Sequence, residues 1–322
     1  MTTKKKSLRK INKKKLKLET HPTTDPSHLD VHRVIARMDG GEYHAANVKV
    51  MTPVDHMTEH DNLRIRSSSI QTLKAMIDDR RQIIMVKTKI SNQLKANDRG
   101  TDHLSLETRE FLTEMLALLK SRVGKLGRNI EKYLKTLELP IIDAALKIPS
   151  VGALSVATLI AYYDINKATN ASKMWAYAGY HKASHERHQK NEVASDGHKT
   201  VRAALYNLGS SFIRGKNTAP NAYVDIYYNE KEKLASSQKI TKTRVTGGRG
   251  VVEKKWCDVS DGHRDGAAKR KMLKHFLADL WYVWRTLEGL STRPLYVEEK
   301  LGHTGIIKPE ERGWVYLENT TE

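Results

Sequence analysis

The chain has 322 residues, and its 56 Lys and Arg against 37 Asp and Glu give a formal net charge of +19. Positive charge spread along the whole length points to a polyanionic partner and to salt-sensitive binding. One cysteine, Cys257, excludes an intrachain disulfide framework and a cysteine-based zinc site. No apolar run of about twenty residues offers a membrane span, so the expected place is the cytoplasm, associated with the nucleoid and with no membrane partner.

Residues 1–58 read as a basic arm followed by a short vestigial segment. Lys4, Lys5, Lys6, Arg9, Lys10, Lys13, Lys14, Lys15 and Lys17 concentrate charge with almost nothing apolar to bury, so the arm is expected to order only on a polyanion. With no apolar stretch behind those charges it is not a signal peptide.

Residues 59–138 read as a long helical hairpin of coiled-coil character. Its second helix, Ser105 to Leu137, carries Leu112, Leu116, Leu119, Val123, Leu126, Ile130, Tyr133 and Leu137 at alternating spacings of four and three, which keeps one seam toward a partner helix. Ser105 with Glu107 and Glu110 marks the start, and Gly124 and Gly127 weaken the helix locally. The partner is either the preceding helix, about Leu63 to Lys95 with Ile70, Leu73, Ile77, Ile84 and Leu94, or a second copy; the short link Asp98 to Asp102 suits the antiparallel hairpin.

Residues 139–290 read as a helical domain with a helix-hairpin-helix motif. Pro140 opens a short helix, Pro149-Ser150-Val151-Gly152 breaks it, and Leu154 to Tyr163 forms a second. Gly152 is expected to take backbone angles other residues avoid, so that the N–H groups of Ser150, Val151, Gly152 and Ala153 face a phosphate. Such a contact grips a backbone and reads no bases; the alternative is a purely structural corner.

Beyond Trp175 to Tyr180, a polar loop from His181 to Asp196 leads into helices over Thr200 to Arg214 and Tyr223 to Leu234, the latter capped by Asn221. His181, His185 and His188 lack the spacing of a zinc site, so no metal or cofactor is assigned to the chain. The insertion 237–262 has β-branched residues around Gly247, Gly248 and Gly250, which suggests a short basic hairpin or flexible loop on a nucleic-acid backbone, or a solvated insertion. Ala267 to Leu287 is an amphipathic helix whose stripe of Leu273, Phe276, Leu277, Leu280, Trp281 and Trp284 is core. Lys269, Arg270, Lys271 and Lys274 near its expected start oppose the dipole, a cost that a bound phosphate would offset. In the tail, 291–322, Trp314 and Tyr316 are expected anchors without chemistry.

Several of these blocks, in this order, resemble the C-terminal domain of the insertion-sequence one-ten/one-sixteen family of transposases. They are Ile148 to Gly152, Trp175 to Tyr180, a serine-containing loop, Gly197 through Arg202 to Leu205, and Ala267 to Lys274. The upstream helix, from Asn62-Leu63-Arg64 to Leu94, is similar too, so the resemblance covers roughly residues 60 to 290. It implies DNA cleavage and rejoining through a covalent phosphoserine. Ser184 would be the nucleophile, with Ser195 as a fallback in a shifted register. His181, Lys182, His185, Arg187 and His188 are near enough in sequence to remove its proton and to stabilise phosphate charge.

The same resemblance makes Arg202, with Lys199, the expected phosphate clamp; an ion pair to Asp196 or Glu192 is the structural alternative. The loop departs from the family pattern, because Ala183-Ser184-His185-Glu186 lacks the family's glycines. Family members carry a RuvC-like domain with four metal-binding acidic residues ahead of the helix. The roughly sixty residues here are too few for one, so that half, its Mg ions and a guide RNA are expected in trans, in a homo-oligomer or with an acidic-domain subunit. The competing readings are a noncatalytic DNA- or RNA-binding derivative of a transposase and a junction-binding repair accessory protein.

Overall fold

A computed structural model describes residues 29–33, 48–181, 197–244, 250–292 and 307–316. The basic arm, the loop residues Lys182, Ser184, His185, Arg187, His188 and Ser195, and Arg249 of the insertion lie outside the described residues. The fold is mainly helical, with eight α-helices and four short strands among the described residues. None of these helices is long and apolar enough to cross a membrane.

The chain divides into two compact units, 1–70 and 71–322. In the first, β1 (Asp30–Arg33) pairs antiparallel with β2 (Val48–Met51), with Asp30 opposite Met51. Helix α1 (Pro53–Asp98) then begins. Pro53 suits a first helical position because its missing N–H has no partner there anyway. Thr52 caps that start, its Oγ1 accepting from the Asp55 N–H at 3.2 Å. The helix thus starts ten residues before the expected Leu63, within the segment read as vestigial.

In the second unit, α1 from residue 71 onward and α2 (Leu106–Lys135) form the expected antiparallel hairpin. Arg109 pairs with Asp98 at 2.8 Å near the turn, and the Arg80 Nε–H donates to the Val123 carbonyl at 3.3 Å farther down. Ser105 is the N-cap, its Oγ accepting from the Thr108 N–H at 3.2 Å. Leu73, Ile77 and Ile90 on α1 and Ile130 and Leu134 on α2 are buried. Leu112, Leu116, Leu119 and Val123 are only half-buried. Burial is deepest at the base because α2 packs there on α4, which also explains why Leu134, off the expected seam, is fully covered.

The rest of the unit is built from α3 (Pro140–Leu146), α4 (Ala153–Tyr162), α5 (Ala171–Tyr177), α6 (Lys199–Arg214), α7 (Ala222–Ser236), the ribbon β3 (Ile240–Arg244) and β4 (Val251–Lys255), and α8 (Asp261–Leu287). Helix α8 is the hub, packing on α3, α5, α6 and α7. Its Met272, Leu273, Phe276, Leu277, Leu280, Trp281 and Trp284 are all buried, each worth about 1.5–3 kcal/mol when removed from water. It begins at Asp261, six residues before the expected Ala267.

Several polar groups inside this core are paired, although Arg312 Nε is buried without a hydrogen-bond partner among the described residues. The Trp281 indole N–H donates to the Ala168 carbonyl at 2.6 Å, and Arg285 donates to the Ile165 carbonyl at 2.9 Å. The C-terminal segment docks alongside, with Trp314 2% exposed. Its neighbour Arg312 reaches both oxygens of Asp279, at 2.8 and 2.9 Å. Tyr223 donates to the same carboxylate at 2.6 Å and accepts from the Trp314 indole at 2.6 Å.

Candidate nucleic-acid interface

The corner between α3 and α4 differs from the expectation in its backbone. Gly152 has φ −92° and ψ 146°, ordinary extended angles at the N-cap, and a Cβ there would meet nothing within 4 Å. The left-handed residue is Ser150, with φ 67°, a strain of about 1–2 kcal/mol for a residue with a side chain. Its hydroxyl donates to the Ala219 carbonyl at 3.3 Å, and the Asn221 amide donates to the Pro149 carbonyl at 3.0 Å.

Val151 is buried and its N–H donates to Ile148 at 3.1 Å. Pro149 and Ser150 therefore hold the turn against the segment after α6. Exposed Gly152 and half-exposed Ala153 open α4, whose N-cap makes no side-chain hydrogen bond. Gly152 thus makes no use of glycine's conformational freedom; what remains of the motif is a helix N-terminus without a side-chain cap.

The root of the serine-containing loop is closely built. Helix α5 ends with Gly179 at φ 73°. The Tyr180 N–H reaches the Trp175 carbonyl at 2.8 Å and the Gly179 N–H reaches Ala176 at 2.9 Å, the paired bonds of a Schellman stop. On the returning side Gly197 has φ 96°, and a Cβ on it would lie 2.3 Å from the Gly179 nitrogen. The His198 N–H then donates to the Tyr177 carbonyl at 2.6 Å. Gly179 and Gly197 thus bring two backbones into direct contact, a neck at the root of the segment 182–196, which itself lies outside the described residues.

Around the neck stands a cluster that sequence reasoning missed. The His198 ring lies 4.6 Å from Tyr162 and 5.3 Å from Tyr177, nearly parallel to the latter at 11°. Tyr162 donates to Asp78 of α1, and Lys74 lies 5.2 Å from the Tyr162 ring centre. Burial, reinforced by Lys74 and Arg81 and opposed by Asp78, lowers the His198 pKa, so the ring is neutral at pH 7. Burial, with the Asp78 hydrogen bond, raises that of Tyr162. His198 Nδ1 is buried without a hydrogen-bond partner among the described residues. An open hollow of about 400 Å³ is lined by Tyr162, Tyr163, Asp164, Lys167 and Lys173. Tyr177 and Lys173 also line a second, of about 460 Å³, with His181 and His198.

The expected cations divide. Arg202 is half-buried on α6 and its Nε–H donates to the Ala178 carbonyl at 3.2 Å, so it ties α6 to the end of α5; Lys199 is exposed at the start of α6. On α8, Arg270 lies beside Tyr180, which holds its pKa up against a larger lowering by burial. Lys269 pairs with Asp265 at 3.3 Å and lies 4.9 Å from the exposed Tyr206 ring. Lys271 pairs with Glu230, and Lys274 stands over Trp175. Because α8 starts two turns before Lys269, and dipole effects fade within the first turn, these cations do not oppose the helix dipole as expected.

The arrangement brings Lys199, Arg202 and Arg270 to the root of the loop. The corner at Ser150 to Ala153 is not brought there. Ser150 touches Gly215, at the C-terminal end of α6, whereas His198 caps its N-terminus, and the 16 residues between span about 24 Å at 1.5 Å per residue. The two expected contacts therefore sit at opposite ends of one helix rather than side by side.

No group of three or more His, Cys, Asp or Glu able to hold a metal ion occurs among the described residues. In comparisons with models of protein families and with curated proteins, nothing matches the chain.

Proposed function

We propose that the protein is a DNA-binding component of a serine-nucleophile recombinase or transposase. The supporting observation is the neck itself: the segment carrying Ser184 is pinned at both ends, between Gly179 and Gly197, with Arg202, Arg270 and Lys199 around its root. Fixed flanks on both sides of a nucleophile-bearing segment are what positioning against phosphate requires.

In this reading the Ser184 oxygen attacks a phosphodiester phosphorus, its proton passes to His185, and the P–O bond to one sugar breaks. The released sugar oxygen takes up a proton, and Arg187 offsets charge on the phosphate. Rejoining reverses these steps on another DNA end. The acidic metal-binding half, with Mg, acts in trans, and a guide RNA selects the DNA.

A second reading, noncatalytic gripping of DNA or RNA, is favoured by the exposed aromatics Tyr177 and Tyr206, the latter beside the paired cation Lys269, features suited to binding alone. Incubation with labelled duplex from the DNA flanking the protein's own reading frame, followed by denaturing electrophoresis, separates the two. The proposal expects a covalent adduct that Ser184→Ala abolishes. Binding without an adduct, even with a separately encoded acidic-domain subunit, overturns the catalytic reading and leaves the gripping one.

A further inference from the structure

Ile240, Thr241, Thr243, Val251 and Val252 favour extended backbone, and β3 and β4 pair with Ile240 opposite Lys255 and Thr243 opposite Val252. Successive strand residues alternate sides. Thr243 Oγ1 lies 3.4 Å from His263 Nδ1, which turns the Thr241 and Thr243 side toward the start of α8. The opposite side carries Ile240, Lys242, Val251, Glu253 and Lys255, all exposed, with Ile240 68% and Val251 48% accessible.

A two-stranded ribbon is marginal by itself, yet this one has a fixed base. The Trp256 N–H donates to the Lys239 carbonyl at 3.0 Å and the Cys257 N–H to Ser237 at 3.1 Å. Arg264 holds the Trp256 and Cys257 carbonyls at 3.1 and 2.8 Å, with Asp261 on its other arm. Lys239, Lys242, Arg244, Lys254 and Lys255 stand against one acid, Glu253, which pairs with Lys242 at 3.6 Å and leaves the ribbon with excess positive charge. The ribbon is thus a clamped, cationic projection with exposed aliphatic side chains.

We propose that the outer side of this ribbon enters the major groove of B-form DNA. Two strands about 4.8 Å apart, with their side chains, match a groove roughly 12 Å wide. Lysines there meet phosphates or guanine edges, and Ile240 or Val251 meets a thymine methyl group. The deep, narrow major groove of A-form RNA does not admit such a ribbon. This proposal rests on the DNA-binding reading above and adds where and how the duplex is touched.

The test uses the full chain with a DNA duplex and an RNA duplex of the same sequence, scoring affinity, salt dependence and interference by methylation at guanine N7, which lies in the major groove. The wild type is expected to bind DNA and to lose affinity when N7 is methylated. Lys242→Gln combined with Lys255→Gln is expected to weaken DNA binding about tenfold, reduce the salt slope by about two, and remove the interference, with RNA affinity unchanged. DNA binding indifferent to N7 methylation, or an equal loss toward RNA, overturns the ribbon proposal and leaves DNA binding intact. Failure of the wild type to bind any duplex overturns both readings.

Discussion

Gly197 approaches Gly179 so closely that a Cβ on Gly197 would sit 2.3 Å from the Gly179 nitrogen and 2.6 Å from its Cα. Both atoms are backbone, with no flexible side chain to give way, and φ at Gly197 is 96°. Gly197→Ala therefore combines a backbone penalty of about 1–2 kcal/mol with overpacking of about 1–3 kcal/mol. Urea unfolding is expected to show a loss of about 2–5 kcal/mol. A midpoint equal to wild type would show that the neck opens readily and does not fix the loop.

The opposite sign is expected on the hairpin. Gly124 lies on the exposed side of α2, and a Cβ there meets only Arg128 Nη1, at 3.7 Å. Gly124→Ala removes the entropic cost of glycine in a helix without a clash, so a gain of about 0.5–1 kcal/mol is expected. Unchanged or lower thermal stability would mean that α2 needs local flexibility at that turn.

Much of this was legible because its causes are local. Ser105 and Asn221 cap helices as read, whereas the seam of α2 is buried only toward its base, where Ile130 and the off-seam Leu134 are covered. The start of α8 was hidden by Gly262 and Gly266, which read as loop, although the Arg264 and Lys269 pairs support helix there. At the corner, composition pointed to Gly152 as the left-handed residue, but contacts with Ala219 and Asn221, about seventy positions away, place that conformation on Ser150. The His198 cluster is assembled from α1, α4, α5 and α6, so no spacing in the chain announces it.

Trp314 anchors the C-terminal segment by both area and polarity. It is buried against Phe276, with ring centres 5.8 Å apart, and its indole N–H reaches the Tyr223 hydroxyl. Trp314→Ala is expected to lower stability by about 3–5 kcal/mol and to expose residues 307–316 to protease. Trp314→Phe keeps most of the apolar contact but removes one donor, for about 1–3 kcal/mol. Equal losses in the two variants would refute a role for the hydrogen bond.

Asp279 and His275 sit one turn apart on α8 and oppose each other as pH changes. Burial raises Asp279 from 3.8 to about 6, despite Arg312 and Tyr223. Between about pH 4 and 6 the folded state keeps a proton that the unfolded state has released, so stability falls as pH rises, by up to about 3 kcal/mol. Burial, with Arg312 and Lys271 and against Glu230, lowers His275 from 6.5 to about 4. Over about pH 4 to 6.5 the unfolded state holds the extra proton instead, so stability rises with pH by a similar amount. The two contributions nearly cancel in the wild type, and single substitutions unmask them. Relative to wild type at each pH, which cancels other carboxylates, His275→Gln is expected to lose stability from pH 4.5 to 6.5 and Asp279→Asn to gain it. Urea midpoints that shift in the same direction for both variants would show that these two groups do not titrate in opposition.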